Sequence, residues 1–573
     1  MNWDLSVLYV NENALDDDVK ESRIRAKNFQ TVYKNKLKTL HVNEFLEAIG
    51  EYETINEMLG RIMTYAFLNF ATDSDKGGFY AKYQNEYTDI AELLLFFQLE
   101  FNTLGTLKQE EFIVSSSKYR YFLKTLVEEK PYQLSQKEER ILLKKEMTSA
   151  SAFSRLFDEH FSRLRFSFEG RKLSEEEILS KLQDPSREVR KKAAHAFTKG
   201  LKPHQPLLAY IFNMIKTDLA MDCELRGYKT PEQPRHIHNH ISQKSVDALI
   251  KSAENNLSLV QEYYTLKAKL LGLDELFEYD RYAPLPSSKA VYDFEMSKGI
   301  VLDAFEAFHP KFNEIVKRAF DEKWIDVMPK NKKRGGAFSH PATPSTHPYV
   351  LLNHTNTRRD LFTLAHELGH AIHQYLSRDV GYLGSDTPLT TSETASVFAE
   401  MLVFDRIKEG LDVDEKRSLY ASKIEDIFST LYRQINFTTF ERKVHAHKGE
   451  VDLKTFNAYW MQESTKMFGK SVTLSPDYAL WWSYIPHFIH SPFYCYAYSY
   501  GQLLVLALYG LYKKSDKAQF VKNYTSFLSA GGSQSPKELI ATFGFDIDDV
   551  AFWELGIGEI REILKEFKGL CNA

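Results

Sequence analysis

Apolar residues recur three and four positions apart through most of the chain, and glycine and proline are sparse where they do, as amphipathic helices require. From about Asp16 to Glu129 the pattern is nearly unbroken, so this part is expected to be helical. A further helix is predicted to open at Asp184-Pro185 in LQDPSREVRKKAAHAFTKGL, with Asp184 capping the first amides and Pro185 in the first turn, and to end by Gly200 and Pro203. No second copy follows at a fixed period, so a repeat array is not predicted. Between about Pro284 and Thr357 the texture changes. Proline and glycine become frequent, and MPKNKKRGGAFSHPATPSTHPYVLLNHTNTRRD reads as loop, short strand, loop, which makes this the region where a sheet is expected. The predicted strand is Tyr349 to Asn353. Helical texture resumes at Asp360 and continues almost to the end, and the most apolar run, Leu503 to Leu508, falls far short of the roughly 20 residues that cross a bilayer. It is predicted to be a buried helix.

Length and composition add bounds. A chain of 573 residues exceeds one ordinary hydrophobic core. A weak change of composition near Pro203, with no Ser/Gly linker, suggests two packed lobes, 1–203 and 204–573. With 73 basic and 78 acidic residues the net charge is -5, which gives no electrostatic case for a nucleic-acid partner. Cys223, Cys495 and Cys571 cannot form a fully paired disulfide framework, and the first residues, MNWDLSVLYVNENALDDD, carry acids where a secretory signal has Lys or Arg. A cytoplasmic protein with no membrane segment is expected.

The chemistry is concentrated in LFTLAHELGHAIHQYL. His366 and His370 are four apart in a helical pattern, so both imidazoles project from one face, one turn apart, as two preset metal ligands. Glu367 adjoins the first histidine and can take a proton from water and pass it to a leaving amine. A catalytic zinc keeps three protein ligands and an open position. A longer form of this motif, with Gly three and His six residues after the second histidine, is excluded because His373 and Leu376 stand there. The third ligand is then expected to be a carboxylate: Asp386, Glu393 or Glu400 in GSDTPLTTSETASVFAEMLVF. Asp386 sits in a turn, whereas Glu393 falls in the first turn of a predicted helix behind Thr390, Thr391 and Ser392, where it can be held rigidly, and it is preferred. Glu400, seven residues on, is placed to accept a hydrogen bond from a ligand imidazole. His373 is read as a support behind the ligands or as packing, with packing preferred, and Gly369 as room for a neighbouring backbone or substrate.

A second cluster, WWSYIPHFIHSPFYCYAYSYGQLL, holds His487, His490, Tyr484, Tyr494, Tyr496, Tyr498 and Tyr500. Such groups can be aromatic packing, or neutral donors for the oxyanion that forms when a peptide carbonyl is attacked. With GGAFSHPATPSTHPYVLLNHTNT, LFTLAHELGHAIH, ETASVFAEM and IPHFIHSPFYCYAY, most of the chain resembles the oligoendopeptidase F branch of the thimet oligopeptidase family. That resemblance implies a mainly α, two-lobed peptidase with a deep central channel, a small β-sheet beside the motif helix, and oligopeptide substrates. It further implies one Zn2+ per chain on His366, His370 and Glu393, with Glu367 as base. It makes the second lobe, 204–573, the catalytic one, and gives His487 with Tyr496, and less firmly Tyr494 or Tyr498, the task of contacting the substrate carbonyl; His490 is the alternative to His487. It also implies that an extended substrate lies alongside Tyr349 to Asn353, with Gly335 and Gly336 permitting close approach. Two other readings stay open: an exopeptidase, which needs a fixed charge near the metal such as Arg358 or Arg359, and a noncatalytic peptide-binding protein that retains the motif.

Overall fold

The computed structural model describes residues 1–285 and 290–572, so Pro286 to Lys289, at the start of the region expected to hold the sheet, lie outside the described residues. The chain forms two compact units, each built from three pieces of sequence: Met1–Lys130, Lys289–Gly410 and Leu511–Phe545 in the first, and Pro131–Ser288, Leu411–Gly510 and Asp546–Ala573 in the second. This differs from a division at residue 203. Helix Arg187–Leu201 passes through a 3-10 turn, Lys202–His204, into helix Gln205–Arg226, and Leu201, Leu208 and Phe212 on either side of Pro203 share one buried core. A proline in a tight turn between helices of one core leaves the same local composition as a linker.

The first unit opens with helices Glu12–Tyr33, Val42–Thr72 and Gly77–Leu94, as the periodicity predicts. Helix Val42–Thr72 buries Phe45, Ala48, Ile49, Tyr52, Leu59, Ile62 and Ala66, positions three, four or seven apart that make one face. That face meets Phe29, Phe97, Phe101 and Phe112, with the Phe45 and Phe112 rings stacked at 3.9 Å. Each buried phenylalanine contributes about 1.5–3 kcal/mol relative to an exposed one.

Among the described residues the strands are β1 Phe166–Phe168, β2 Arg171–Leu173, β3 Ile325–Asp326, β4 Phe338–His340 and β5 Tyr349–Leu351. The last three form the expected sheet, in the order β3-β5-β4, with β5 parallel to β3 and antiparallel to β4. Helices Phe294–Phe308 and Pro310–Asp321 share that stretch of sequence. The hairpin β1–β2, in the second unit, falls outside the region where strands were expected. Its signal is Glu169-Gly170, both at positive φ (46° and 78°), a two-residue turn joining FSF to RKL. Helix Arg187–Leu201 begins two residues later than predicted: Asp184 bonds the Ser186 amide at 2.8 Å in a turn ahead of it, and Ser186 is the cap residue.

Leu503 to Leu508 lies fully buried in helix Tyr496–Lys514. In the second unit Gly556 of helix Val550–Asn572 lets the two backbones approach, since a Cβ there would stand 2.6 Å from the Leu503 carbonyl oxygen. Among the described residues no single helix is long and apolar enough to cross a membrane.

Candidate active site

The motif helix, Arg358–Leu376, starts at a capping box: the Asp360 amide donates to Thr357 Oγ1 at 3.2 Å and the Thr357 amide to Asp360 Oδ2 at 2.9 Å. Against it lies helix Thr394–Lys408, in close contact with it. Gly369 makes this closeness possible. A Cβ at that position would stand 2.4 Å from the Ala395 carbonyl oxygen and 2.6 Å from Ser396 Cα, so the glycine between Leu368 and His370 receives the neighbouring backbone. Glu393 is not inside a first turn, as expected, but at the break between the short helix Leu389–Ser392 and helix Thr394–Lys408. There its side chain turns back to the histidines.

His366, His370 and Glu393 converge so that one ligand atom from each lies within 4.8 Å of the others. Glu393 Oε2 is 3.4 Å from His366 Nε2 and 3.4 Å from His370 Nε2. Ligands held about 2.0–2.2 Å from one tetrahedral ion stand roughly 3.4 Å apart, so these residues fit a zinc-sized metal. Glu400 accepts a hydrogen bond from His366 Nδ1 at 2.7 Å, which directs the Nε2 lone pair at the metal position. Ser396, to which the sequence reading assigned no part, donates to Glu393 Oε2 at 2.6 Å; the signal was the serine three residues after the glutamate in ETAS. Asp386 lines the cavity beside the triad without joining it.

The groups are electrically coupled. Burial opposes the His366 imidazolium, but the Glu400 hydrogen bond and the charges of Glu400, Glu393 and Glu367 outweigh it and lift His366 to about 9. Burial raises Glu393, and the hydrogen bond and charge of His370, with His366 and Ser396, more than reverse this, to about 2. Glu367, only 6% exposed, is raised by burial, with the two histidines pulling the other way. His373 is buried and pushed down to about 3 by burial and by His370, so it stays neutral, in keeping with a packing role.

A cavity of ≈ 1090 Å³ in the first unit contains His366, Glu367 and His370 in its wall. Helices from the amino-terminal 130 residues supply Met63, Phe67, Tyr80 and Tyr87, and the sheet supplies Phe338, Ser339 and His340. The lining cation is Arg378, not Arg358 or Arg359. His340 is driven to about 4 by burial and stays neutral. β4 is tied to the motif helix by Ser339 Oγ donating to Gln374 Oε1 at 2.7 Å and by Gln374 Nε2 donating to the Ser339 carbonyl at 3.2 Å. The substrate-pairing expectation for Tyr349 to Asn353 needs correcting here: β5 is the central strand, paired on both sides, and the edge facing the cavity is β4.

The His/Tyr cluster lies in the second unit. His487 Nε2 is 3.3 Å from the Tyr498 hydroxyl, its ring is 6.3 Å from that of Tyr494, and the Tyr494 and Tyr498 rings are 5.0 Å apart. All three are half-buried. Tyr496 is fully buried elsewhere, its hydroxyl 2.8 Å from His236 Nδ1 and accepting from Asn239 Nδ2 at 2.9 Å. His490 bonds Asp158 at 2.8 Å.

Two imidazoles and a carboxylate spaced so that they could hold one metal, with a buried carboxylate alongside, are a donor set of the kind that metal-assisted hydrolysis uses. The family model of peptidase family M3 matches residues 180–559, and that of oligopeptidase F matches residues 100–166. The chain is 28% identical to oligopeptidase PepF of Bacillus subtilis, over 99% of this chain and 88% of that protein, and 28% identical to an oligoendopeptidase F homolog of Borreliella burgdorferi, over 99% and 97%. Its fold matches that of a peptidase from Chlamydophila abortus (TM-score 0.89, 24% identity, 99% and 98% covered) and that of oligoendopeptidase-F from Enterococcus faecium (TM-score 0.69, 21% identity, 97% of each). The chain belongs to peptidase family M3, in its oligoendopeptidase F branch, and is a metalloendopeptidase.

Proposed function

We propose that the chain carries one zinc ion on His366, His370 and Glu393 and cuts internal bonds of short oligopeptides, with Glu367 as general base. The observation that carries this reading is the convergence of the three ligand atoms, with His366 and His370 in a cavity wall and Glu367 buried beside them. A bound ion supplies polarisation of the scissile carbonyl and acidifies water, and a His-His-Glu donor set suits zinc. The rest falls to the chain's own residues. Glu367, raised by burial, takes a proton from water and returns it to the departing amine. Glu400 keeps the His366 ring in the tautomer that leaves Nε2 open. β4, an edge strand in the cavity wall whose Ser339 carbonyl is engaged by Gln374, offers its remaining backbone groups to an extended peptide, which gives affinity with little demand on side chains. Met63, Phe67, Tyr80 and Phe338 provide an apolar wall for its side chains.

For the oxyanion we propose His487 with tyrosine hydroxyls of its cluster as donors. The engagement of Tyr496 with His236 and Asn239 favours Tyr494 and Tyr498 over Tyr496 for that task. The relatives' names, oligopeptidase and oligoendopeptidase, support peptides as substrates. Three free cysteines suit a cytoplasmic setting.

The test is cleavage of an internally quenched peptide blocked at both ends, before chelation, after it, and after zinc is restored. Cleavage that is lost and regained is expected. No cleavage by folded, metal-loaded protein would overturn the endopeptidase reading, and cleavage surviving complete metal removal would overturn the metal mechanism.

A further inference from the structure

The second unit holds two arginines that the chemistry at the motif helix does not use. Arg281 is 5% exposed, and its guanidinium carbon lies 4.8 Å from the ring centre of Phe468, 5.0 Å from that of Tyr282 and 5.5 Å from that of Tyr478. Its Nε donates to the Glu278 carbonyl at 3.0 Å, Nη2 reaches the hydroxyls of Tyr282 and Tyr478 only at 3.5 Å, and Nη1 has no partner among the described residues. Arg433, half-buried, belongs to the same cluster. Its Nη2 donates to the Tyr484 hydroxyl at 2.9 Å, and the charge of Arg281 acts on it directly.

Among the described residues neither arginine is ion-paired with a carboxylate. The two glutamates of the neighbourhood are committed elsewhere: Glu425 Oε1 to Lys267 at 2.5 Å, and Glu278 to the hydroxyl and amide of Ser475 at 2.6 and 3.0 Å. A buried and a half-buried cation without a counter-ion carry a desolvation penalty, which a bound anion relieves. The tyrosines register the resulting potential. Burial raises the Tyr282 phenol, yet Arg281 and Arg433 more than cancel this and leave it below the ordinary tyrosine value, whereas Tyr478 stays raised by burial.

We propose that Arg281 and Arg433, with the hydroxyls of Tyr282, Tyr478 and Tyr484, form a carboxylate-binding site in the second unit. Planar guanidinium forks match a planar, two-oxygen anion, and neutral phenols complete its hydrogen bonds. Aromatic walls suit the carbon skeleton behind a carboxylate better than they suit a bare hydrated ion. In a peptidase the carboxylate at hand is a peptide's, from its C-terminus or from an Asp or Glu side chain. This last step rests on the proposed function; the anion site does not.

The experiment follows thermal unfolding and the tyrosine ultraviolet difference spectrum of the full-length, metal-loaded protein with sodium propionate, propionamide or sodium chloride at matched ionic strength. Propionate is expected to raise Tm and to move the alkaline ionisation of Tyr282 to higher pH while the other two do neither. Arg433→Met and, more mildly, Tyr484→Phe should weaken the response, and Tyr282→Phe should lose only its spectral part. No response to propionate, an equal response to chloride, or a Tyr282 ionisation that no anion alters would each overturn the site. The carboxylate source is then read with the metal-loaded Glu367→Gln protein, so that peptides stay intact. An N-acetylated tripeptide acid, its amide, and an amide carrying an internal glutamate are compared, and the form that binds ~10-fold or more tighter than the plain amide names the source. Equal binding of all three would overturn the peptide assignment while leaving the propionate result standing, and cleavage by this variant would count against Glu367 as the base instead.

Discussion

The candidate metal triad and the tyrosine-rich cluster are each built from a short run of sequence dense in chemical groups, yet one keeps its side chains together and the other disperses them. His366 and His370 ride one uninterrupted helix, so spacing alone sets their geometry, and Glu393 is delivered by a helix that Gly369 admits at backbone contact. The second run is broken. It forms a single turn, His487–His490, passes through Phe493 at φ 57°, and becomes a helix only at Tyr496. From there Tyr496 and Tyr500, one turn apart, share the buried face, while Tyr498 lies on another face beside His487. Alternation by two in a sequence is thus converted by a helix into separate faces.

Glu367→Gln should be the most damaging change, lowering kcat by about 10²–10⁴-fold with metal content intact; measuring both in one preparation checks it. Next, Tyr498→Phe should lower kcat by about 10²-fold while leaving Tm nearly unchanged, and Tyr496→Phe should do the reverse, costing about 1–3 kcal/mol of stability as His236 Nδ1 and Asn239 Nδ2 lose the Tyr496 hydroxyl. Kinetics and denaturant unfolding on the pair would break the comparison if the two patterns were exchanged. Glu400→Gln should weaken zinc affinity by about 10–100-fold, read by competition with a chelating dye, because His366 loses a charged acceptor. Gly369→Ala should cost about 1–3 kcal/mol and loosen the metal site, since the added methyl meets Ala395 and Ser396 backbone; chemical denaturation with and without zinc separates the two effects.

The contrast also explains what could be read before the structure. Helical periodicity carried the mainly α fold, the motif helix and the buried run at Leu503 to Leu508, because in each the pattern reflects one continuous element. Glu400 was reachable for the same reason, lying seven residues beyond Glu393 and bonding His366 as its spacing suggested. The division at Pro203 was not, because the units are assembled from distant pieces and nothing local marks residues 1–130 as neighbours of the motif helix. Their contribution of Met63, Phe67 and Tyr80 to the cavity was hidden for that reason. β5 was placed well but its rank in the sheet was not, since strand order depends on which segments pair and not on the strand's own residues.

The most direct test of the central claim is a titration of the chelated protein with zinc, following bound metal and cleavage of the blocked peptide together. The account predicts that both saturate at one equivalent per chain and that His370→Ala abolishes both. Cleavage by the metal-free protein, or unaltered zinc binding in His370→Ala, would contradict it.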